Sequence, residues 1–360
     1  MNFPAAQPEG LPIREEGLRV AIVGASTLLG KEVKQVLDDR RIPVKSVQLL
    51  DDDEAMGQLT EFAGQPAIIQ AIAPDAFDDV DVVFLAGGAE CTRRHWRAAR
   101  RSGCRIIDLS GGLADETDAC FWIPSLDEIL RPPKPMAGGL CVSPHPATII
   151  LCHLAPRLAM VAAPARTVLL FFVPVSERGQ AALDELEQQT INLLSFQPIS
   201  KNVFDSQVAF NLLPRYGSSS AAKLEEIRSR TEREASFYLA GRFALPAISL
   251  LHAPVFHSYA FELFVEFTTE VTTHRLEQKL ESTAITIRRS DEEAPSPVGV
   301  VGESGIVLDF IRPEGHGKNA FWIFGAADNL RLAASNAVEI VERWHHAERD
   351  GRLKQRSRTA

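Results

Sequence analysis

Residues 18–30, LRVAIVGASTLLG, decide the fold class of this chain of 360 residues. The segment of residues 18–24, apolar except for Arg19, predicts a buried parallel strand, and the apolar spacing over residues 28–37 predicts a helix immediately after it. A short turn with a glycine at each end joins the two. A strand, a glycine turn and a helix in this order are typical of the first βα unit of an open parallel sheet.

The same alternation continues along the first part of the chain. Further elements are predicted as strands over residues 47–50, 80–86, 105–109 and 140–142, and as a helix over residues 89–101. Strands that alternate with helices predict a doubly wound parallel sheet of the Rossmann type. The first part of the chain is therefore expected to be an α/β domain.

The pattern changes after residue 143. Predicted strands cover residues 165–175, 258–268 and 306–310 and lie near Ile285, and predicted helices cover residues 180–194, 221–240 and 326–345. Along residues 258–268, aromatic residues such as Tyr259 and Phe261 alternate with the acids Glu262 and Glu266, which predicts a sheet with one packed face. We expect an α+β domain with a mostly antiparallel sheet.

The length and composition favour two domains, because 360 residues with 45% hydrophobic content can bury two cores. The predicted boundaries are residues 18–143 with 326–347 for the Rossmann-like domain and residues 144–325 for the second domain. Residues 1–17 and the basic residues 348–360 are predicted to be disordered.

The net charge of -9 argues against nucleic-acid and anionic-membrane partners. The sequence shows neither a signal-peptide core nor an apolar run of membrane-spanning length. No C-x-x-C pair occurs among the five cysteines, so neither a disulfide framework nor a metal site is predicted. They are Cys91, Cys104, Cys120, Cys141 and Cys152. A reducing cytoplasm fits this composition best.

The glycine turn has two interpretations. It is either a dinucleotide-binding loop, with the pyrophosphate at the helix N-terminus, or an ordinary tight βα turn. Both stay open, because Thr27 occupies the position at which a middle glycine would let the backbone approach the pyrophosphate. The candidate cofactor-binding residues are Gly24, Ser26, Thr27, Leu28, Gly30 and Asp51.

The acidic run Asp51, Asp52, Asp53 and Glu54 follows the second strand, where dinucleotide folds contact the adenosine ribose. One acid would bind the ribose hydroxyls of NAD, whereas four together would repel the 2′-phosphate of NADP. NAD is therefore favoured over NADP, with binding of either weakened by Thr27. The other interpretation is a solvated charged loop.

From residue 18 to about residue 346 the chain resembles the aspartate-semialdehyde dehydrogenases. The motifs that carry the resemblance are VAIVGASTLLG (20–30), RIIDLSGG (105–112), SPHPATII (143–150), PVSERGQAALDEL (174–186), VAFNLLP (208–214), SPVGVVGESG (296–305) and FGAADNLRLAASNAVEIV (324–341). The resemblance implies dimers that reduce aspartyl phosphate to the semialdehyde with NADPH in amino-acid biosynthesis, through a thiohemiacetal and a thioester. Such chemistry needs a thiolate, a base and cationic groups for the substrate.

The nucleophile motif of that family, Asn-Pro-Asn-Cys-Ser-Thr, corresponds to SPHPAT (143–148), which places Pro146 at the cysteine. Proline offers no nucleophile, although its fixed φ suits the start of a helix. Cys141 and Cys152 are weak substitutes, because both are expected to be core thiols. His145, with no acidic partner evident in the sequence, is interpreted as a loop histidine.

Most of the other functional positions of that family also carry residues unsuited to the family's chemistry. The resemblance places the orienting glutamine at Val173, the catalytic histidine at Tyr259, the substrate arginine at His252, the phosphate-binding arginine at Ala114 and the cofactor-loop arginine at Glu54. His257 is a weak catalytic candidate, because a two-residue offset on a strand returns a side chain to the same face. Lys223, predicted on an exposed helix, is the retained cationic position and, with His252, a weak substrate-binding candidate.

The pattern supports three hypotheses. The first is a catalytically degenerate paralogue, similar to the cysteine-less Usg-type paralogues, that acts as a homodimer, as a heterodimer with a genuine aspartate-semialdehyde dehydrogenase, or by binding a metabolite or nucleotide. The second is an active NAD(P)-dependent semialdehyde dehydrogenase with Cys141 or Cys152 as a displaced nucleophile. The third is a nucleotide sensor that uses Gly24, Gly30 and the acidic run.

Overall fold

The computed structural model describes residues 17–40, 42–52, 55–130, 139–315 and 318–359, with side chains up to residue 347. The predicted N-terminal arm, residues 1–17, lies outside the described residues except for its last position. The chain divides into two compact units: Met1–Pro124 with Pro132–Ser143 and Ala334–Ala360, and Ser125–Arg131 with Pro144–Ala333. The first unit is interrupted by Ser125–Arg131, its second segment ends at Ser143, and it resumes at Ala334; the boundaries predicted from the sequence were residues 143 and 326.

The first unit is built on a parallel sheet. Its strands are β1 (Leu18–Val23), β2 (Val44–Asp51), β5 (Gln70–Ala71), β6 (Val82–Leu85), β7 (Arg105–Asp108), β8 (Cys120–Phe121) and β9 (Leu140–Val142), with a separate hairpin of β3 (Leu59–Phe62) and β4 (Gln65–Ile68). Within the described residues the sheet order is β5-β2-β1-β6-β7-β9-β8, and its pairings are parallel. The predicted Rossmann-type, doubly wound sheet is therefore confirmed.

Helices α1 (Leu28–Asp39) and α2 (Gly88–Arg101) belong to this unit, together with the part of α7 (Asn329–Thr359) that begins at Ala334. Ile22 of β1, Phe84 of β6, Val33 of α1 and Val338 of α7 are buried in one apolar core. Full burial of such a side chain contributes roughly 1.5–3 kcal/mol. Apart from Arg19, whose half-buried side chain is bonded to Asp79 and Asp81, β1 is buried on both faces, so its sequence is apolar and does not alternate.

The second unit contains a mixed sheet. Its elements are α3 (Pro146–Val161), β10 (Pro164–Val173), α4 (Gln180–Leu194), α5 (Leu224–Leu239), β11 (Ala247–His252), β12 (Tyr259–Phe267), α6 (Thr273–Leu280), β13 (Ile285–Ile287), β14 (Ile306–Leu308), β15 (Arg312–Pro313) and β16 (Ala320–Ala327). Within the described strands the order is β11-β10-β12-β16-β14-β13, with β15 also paired to β16. Four of these pairings are antiparallel, and β10 with β11 and β13 with β14 are parallel.

The predicted alternation along β12 is confirmed. Tyr259 and Phe261 are fully buried, whereas Glu262 and Glu266 are partly exposed. Helix α3 is buried along almost its whole length, which explains why its sequence is apolar on all sides.

The C-terminal part differs from the prediction. Helix α7 begins at Asn329, because residues 320–327 pair with β12 as strand β16. Helix α7 extends as far as Thr359 and so enters residues 348–360, for which a disordered tail was predicted. The tail contains no proline and is rich in arginine, lysine, glutamate and glutamine, which favour helix. No helix in the described ranges is long and apolar enough to cross a bilayer.

Candidate functional site

The glycine turn packs backbone against backbone. Gly24 has a φ of +81°, and a Cβ added to it would overlap the backbone of Gly87. A Cβ on Gly30 would overlap the carbonyl oxygen of Gly24. Both glycines are therefore required by the close packing of this turn, whether or not a ligand binds there.

Thr27, at the middle position of the glycine pattern, caps helix α1. Its hydroxyl oxygen accepts the N–H of Gly30 at 2.9 Å and donates to the carbonyl oxygen of Gly24 at 2.7 Å. The N–H groups of Leu28 and Leu29 lie in the first turn, where a helix has no internal acceptors. The first turn also carries no acidic residue. This helix start therefore fits the negative charge of a dinucleotide pyrophosphate.

Asp51, predicted to contact a ribose, is bonded to its own chain. Its carboxylate accepts the N–H of Ser26 at 2.7 Å and that of Asp52 at 2.9 Å, and the residue is buried. Asp52 is exposed and lies 3.6 Å from a guanidinium nitrogen of Arg94. The other two acids of the run, Asp53 and Glu54, lie outside the described residues. Asp51 thus ties the end of β2 to the glycine turn.

The start of helix α3, where the resemblance places the nucleophile, is closed by side chains of the same unit. Pro146 is the first helical residue. The Nδ1 atom of His145 accepts the N–H of Ala147 at 3.2 Å, and the N–H of His145 donates to Glu234 at 2.8 Å. The hydroxyl of Thr148 donates to the same carboxylate oxygen at 2.8 Å. Donors that could stabilise an oxyanion are thus bonded to the protein itself.

His145 also contacts a second carboxylate. Its Nε2 atom lies 2.6 Å from Glu177, and the hydroxyl of Tyr259 donates to the other oxygen of Glu177 at 3.1 Å. Since Nδ1 accepts a hydrogen bond, Nε2 carries the proton and donates it to Glu177. The interpretation of His145 as a loop histidine without an acidic partner was therefore wrong. Its partner is 32 residues away in the sequence.

The charges of this network favour ionised carboxylates. Burial raises the pKa of Glu177, but His145, Arg178 and the hydrogen bond from Tyr259 outweigh it and hold the pKa below its ordinary value. The pKa of Glu234 is lowered in the same way, mainly by Arg230 against the effect of burial. Burial raises the pKa of Tyr259 far above its ordinary value, and the charge of Glu177 adds to this. Tyr259 is thus a neutral phenol that donates its proton to a hydrogen bond.

Val173 and His252 are paired across β10 and β11, and both are fully buried. The Nδ1 atom of His252 lies 3.3 Å from the hydroxyl of Tyr216, and its Nε2 atom has no hydrogen-bond partner. Burial lowers the pKa of His252 to about 4. The imidazole is therefore neutral at pH 7 and cannot attract a substrate carboxylate as an arginine would.

The two candidate thiols are inside the protein. Cys141 on β9 and Cys152 on α3 are both fully buried. Burial raises the pKa of Cys141 well above its ordinary value, with a further contribution from Cys120, and burial raises that of Cys152 with Glu234 adding to it. Core thiols were expected at both positions, and both are buried; that they are inert stays a prediction.

His257 does not share a strand face with Tyr259. β12 begins only at Tyr259, and Ser258 between them has a φ of +72°. The same-face argument for His257 was therefore wrong, because a left-handed residue interrupts the alternation of side chains.

Lys223 lies just before α5, at its N-cap, and not on the helix as predicted. It lines a cavity of about 520 Å³ together with Arg215, Arg228 and residues of β11. Arg228 is bonded to Glu225 at 2.5 Å. Glu225 lines the same cavity, so its lining combines three cationic side chains with one carboxylate.

Glu177 and Glu234 are the site residues that the sequence did not single out. Glu177 could have been singled out, because it lies in the family motif PVSERG (174–179). This motif directly follows Val173, the position of the missing glutamine. Glu234 gave no comparable signal, since it belongs to a charged helix in which many acids are solvated.

Two family models match most of the chain. The semialdehyde dehydrogenase NAD binding domain matches residues 19–129, and the semialdehyde dehydrogenase dimerisation domain matches residues 158–332.

Individual relatives include both kinds of protein that the motifs suggested. The aspartate-semialdehyde dehydrogenase of Rickettsia bellii is 26% identical over 328 residues, which cover 90% of this chain and 96% of that protein. A USG-1 protein homolog of Pseudomonas aeruginosa is 29% identical over 328 residues, covering 90% of this chain and 97% of that protein. The solved structure of a probable aspartate-semialdehyde dehydrogenase from Pseudomonas aeruginosa superposes with a TM-score of 0.80 at 27% identity, covering 91% of this chain and 98% of that one.

Proposed function

Since the chain belongs to the semialdehyde dehydrogenase family, we propose that it is a catalytically degenerate paralogue that keeps the dinucleotide-binding and dimerising architecture without the oxidoreductase reaction. The observation that carries this proposal is the start of α3. Pro146 stands at the position that the resemblance assigns to the nucleophile, and Glu177 and Glu234 bind the groups around it.

The reaction of the family requires a thiolate that attacks an acyl carbon and a base that accepts its proton. Neither role has a suitable group in this network. Tyr259, at the position of the catalytic histidine, is neutral and donates to Glu177. His145 uses both ring nitrogens in bonds to Ala147 and Glu177. The network is thus arranged for stability and not for proton transfer to a substrate.

The alternative is an active enzyme with a displaced thiol, and the candidates for it are unfavourable. A nucleophilic cysteine is usually partly exposed and has a lowered pKa. Cys141 and Cys152 have the opposite combination, full burial and a raised pKa.

The test is phosphate-dependent oxidation of aspartate semialdehyde with NAD and with NADP. We expect no turnover from the wild type, because losing nucleophile and base together removes most of the rate enhancement. A Cys141→Ser/Cys152→Ser double variant is the matched control. Wild-type turnover that this variant loses would establish a displaced nucleophile and overturn the proposal.

The cofactor site is a second part of the proposal. The start of α1 supports binding of a nicotinamide dinucleotide, and the acidic run at residues 51–54 favours NAD over NADP by repelling a 2′-phosphate. Calorimetric titration with NAD, NADH, NADP and NADPH tests this. We expect weak binding with a lower Kd for NAD than for NADP, and equal or reversed Kd values would contradict the preference.

The third part concerns assembly. The match to a dimerisation domain supports a homodimer, and the second unit exposes large apolar side chains suited to an interface, among them Leu194, Phe196, Phe210 and Leu212. Sedimentation of the purified chain tests the dimer, and co-expression with a genuine aspartate-semialdehyde dehydrogenase tests the heterodimer. We place the protein in the cytoplasm on the basis of its composition.

A further inference from the structure

Three metal-binding side chains meet in the first unit, although the sequence predicted no metal site. Cys91 and His95 are four residues apart on α2, and Asp52 follows the last residue of β2. One ligand atom from each lies within 4.8 Å of the other two. Residues four apart on a helix project from the same face, so the side chains of Cys91 and His95 can bind the same ion.

A second observation concerns the histidine. The Nε2 atom of His95 is buried and has no hydrogen-bond partner. Buried nitrogens of this kind are normally bonded, and a metal ion bound through Nε2 would supply the missing partner. An imidazole binds a metal in its neutral form.

The thiol and carboxylate complete a mixed donor set. Gly87 leaves room for the thiol, because a Cβ there would come within 2.8 Å of the sulfur of Cys91. Burial raises the pKa of Cys91 to about 11, but a coordinating metal deprotonates a thiol directly. Asp52 is 55% exposed, and its pairing with Arg94 at 3.6 Å is loose enough to be exchanged for a cation.

We propose that Cys91, His95 and Asp52 form a zinc site with an open fourth position. Sulfur, nitrogen and oxygen donors together suit Zn²⁺, whereas Mg²⁺ and Ca²⁺ require oxygen ligands. Tetrahedral zinc bonds of about 2.0–2.3 Å place ligand atoms roughly 3.3–3.8 Å apart. The three ligand atoms therefore have to approach one another by about 1 Å from their present separations of up to 4.8 Å. Rotation of the exposed Asp52 side chain would shorten the distances from its carboxylate to the other two ligand atoms.

The experiment uses the untagged full chain, stripped with a chelator and titrated first with Co²⁺ and then with Zn²⁺. We expect one Co²⁺ per chain with a thiolate-to-cobalt charge-transfer band, which Zn²⁺ abolishes by displacement. Cys91→Ser must lose the band. Cys104→Ser is the matched control, because Cys104 is also buried in the first unit with a raised pKa but bonds to the carbonyl oxygen of Phe77.

Two further variants test the other ligands. His95→Gln is expected to raise the Kd for Zn²⁺ by about 10–100-fold or more. Removing even a residue that only hydrogen-bonds to a metal ligand lowers metal affinity by that factor. Asp52→Asn changes an exposed residue and leaves folding intact, so an unchanged Kd in this variant would overturn the three-ligand site. Absence of the charge-transfer band from the wild type, or its persistence in Cys91→Ser, would overturn the whole proposal.

Discussion

Helices α1 and α3 begin in a similar way, but their surroundings are opposite. Thr27 caps α1 with a hydroxyl, and no acid lies in the first turn of that helix. His145 caps α3, where the carboxylates of Glu177 and Glu234 bind the capping residue itself. Since helix N-termini attract anions, the proposed function assigns an external anion to the start of α1, where Asp51 accepts the N–H of Ser26 just before the cap, whereas the start of α3 contacts two carboxylates of the chain.

The two helix starts are therefore held in place by different interactions. The start of α1 depends on close backbone packing around Gly24 and Gly30, whereas the start of α3 depends on buried charges. Under the proposed function, the first helix start keeps a ligand site and the second has become part of the protein interior. Each region can be tested by changing what holds it together.

The largest effect is expected from Gly24→Ala in the first region. We expect a loss of about 4 kcal/mol or more in the free energy of unfolding, because the methyl group overlaps the Gly87 backbone and φ is positive. Gly103→Ala is the matched control, since Gly103 has the same φ of +81° with open space around it. It should lose only about 1 kcal/mol, and equal losses in urea unfolding would refute the packing argument.

The next largest effect is expected from Glu177→Ala in the second region. Removal of the carboxylate leaves His145 and Tyr259 without their common partner, which should lower the free energy of unfolding by about 3 kcal/mol. Glu225→Ala, which removes an acid from an exposed ion pair with Arg228, should have a much smaller effect. Similar losses in both variants would show that the network contributes little.

Acid should affect the second region through the same carboxylate. The folded-state pKa of Glu177 lies below the ordinary 4.5, so its ionised form stabilises the fold above pH 4.5, and this contribution is lost as the pH falls through the lowered pKa. We expect the stability difference between wild type and Glu177→Gln to be constant between about pH 6 and pH 7 and to shrink below the ordinary pKa. A difference that grows with acid would reverse the sign and contradict the assignment.

The smallest effect is expected from Ser258→Gly, and it is stabilising. Ser258 is fully buried, has a φ of +72°, and its hydroxyl has no hydrogen-bond partner. Glycine relieves the strained backbone and should raise the free energy of unfolding by about 1 kcal/mol. Ser258→Ala keeps the strain and removes only the hydroxyl. A gain from alanine as large as that from glycine would assign the cost to the hydroxyl alone.

The sequence predicted the elements with a clear apolar period better than the elements without one. The βα unit, the parallel sheet and the alternating faces of β12 depend on periodic apolar patterns, and these survive in the fold. Strand β16 was missed because residues 320–327 are apolar throughout and merge with the helical pattern that follows. Strand β11, between two prolines, was missed because the flanking residues indicate loops.

The sequence by itself determined which chemical groups this protein has: a glycine turn at residues 24–30, Pro146 in place of a nucleophile, and cysteine and histidine four residues apart on α2. Only the tertiary structure decided which groups meet, because partners distant in sequence depend on strand order and helix packing and not on local periodicity. It brought Glu177 to His145 over 32 residues and Asp52 to Cys91 and His95. Those contacts make a histidine that was interpreted as a loop residue a buried cap, and they make Cys91, for which no metal site was predicted, a candidate metal ligand.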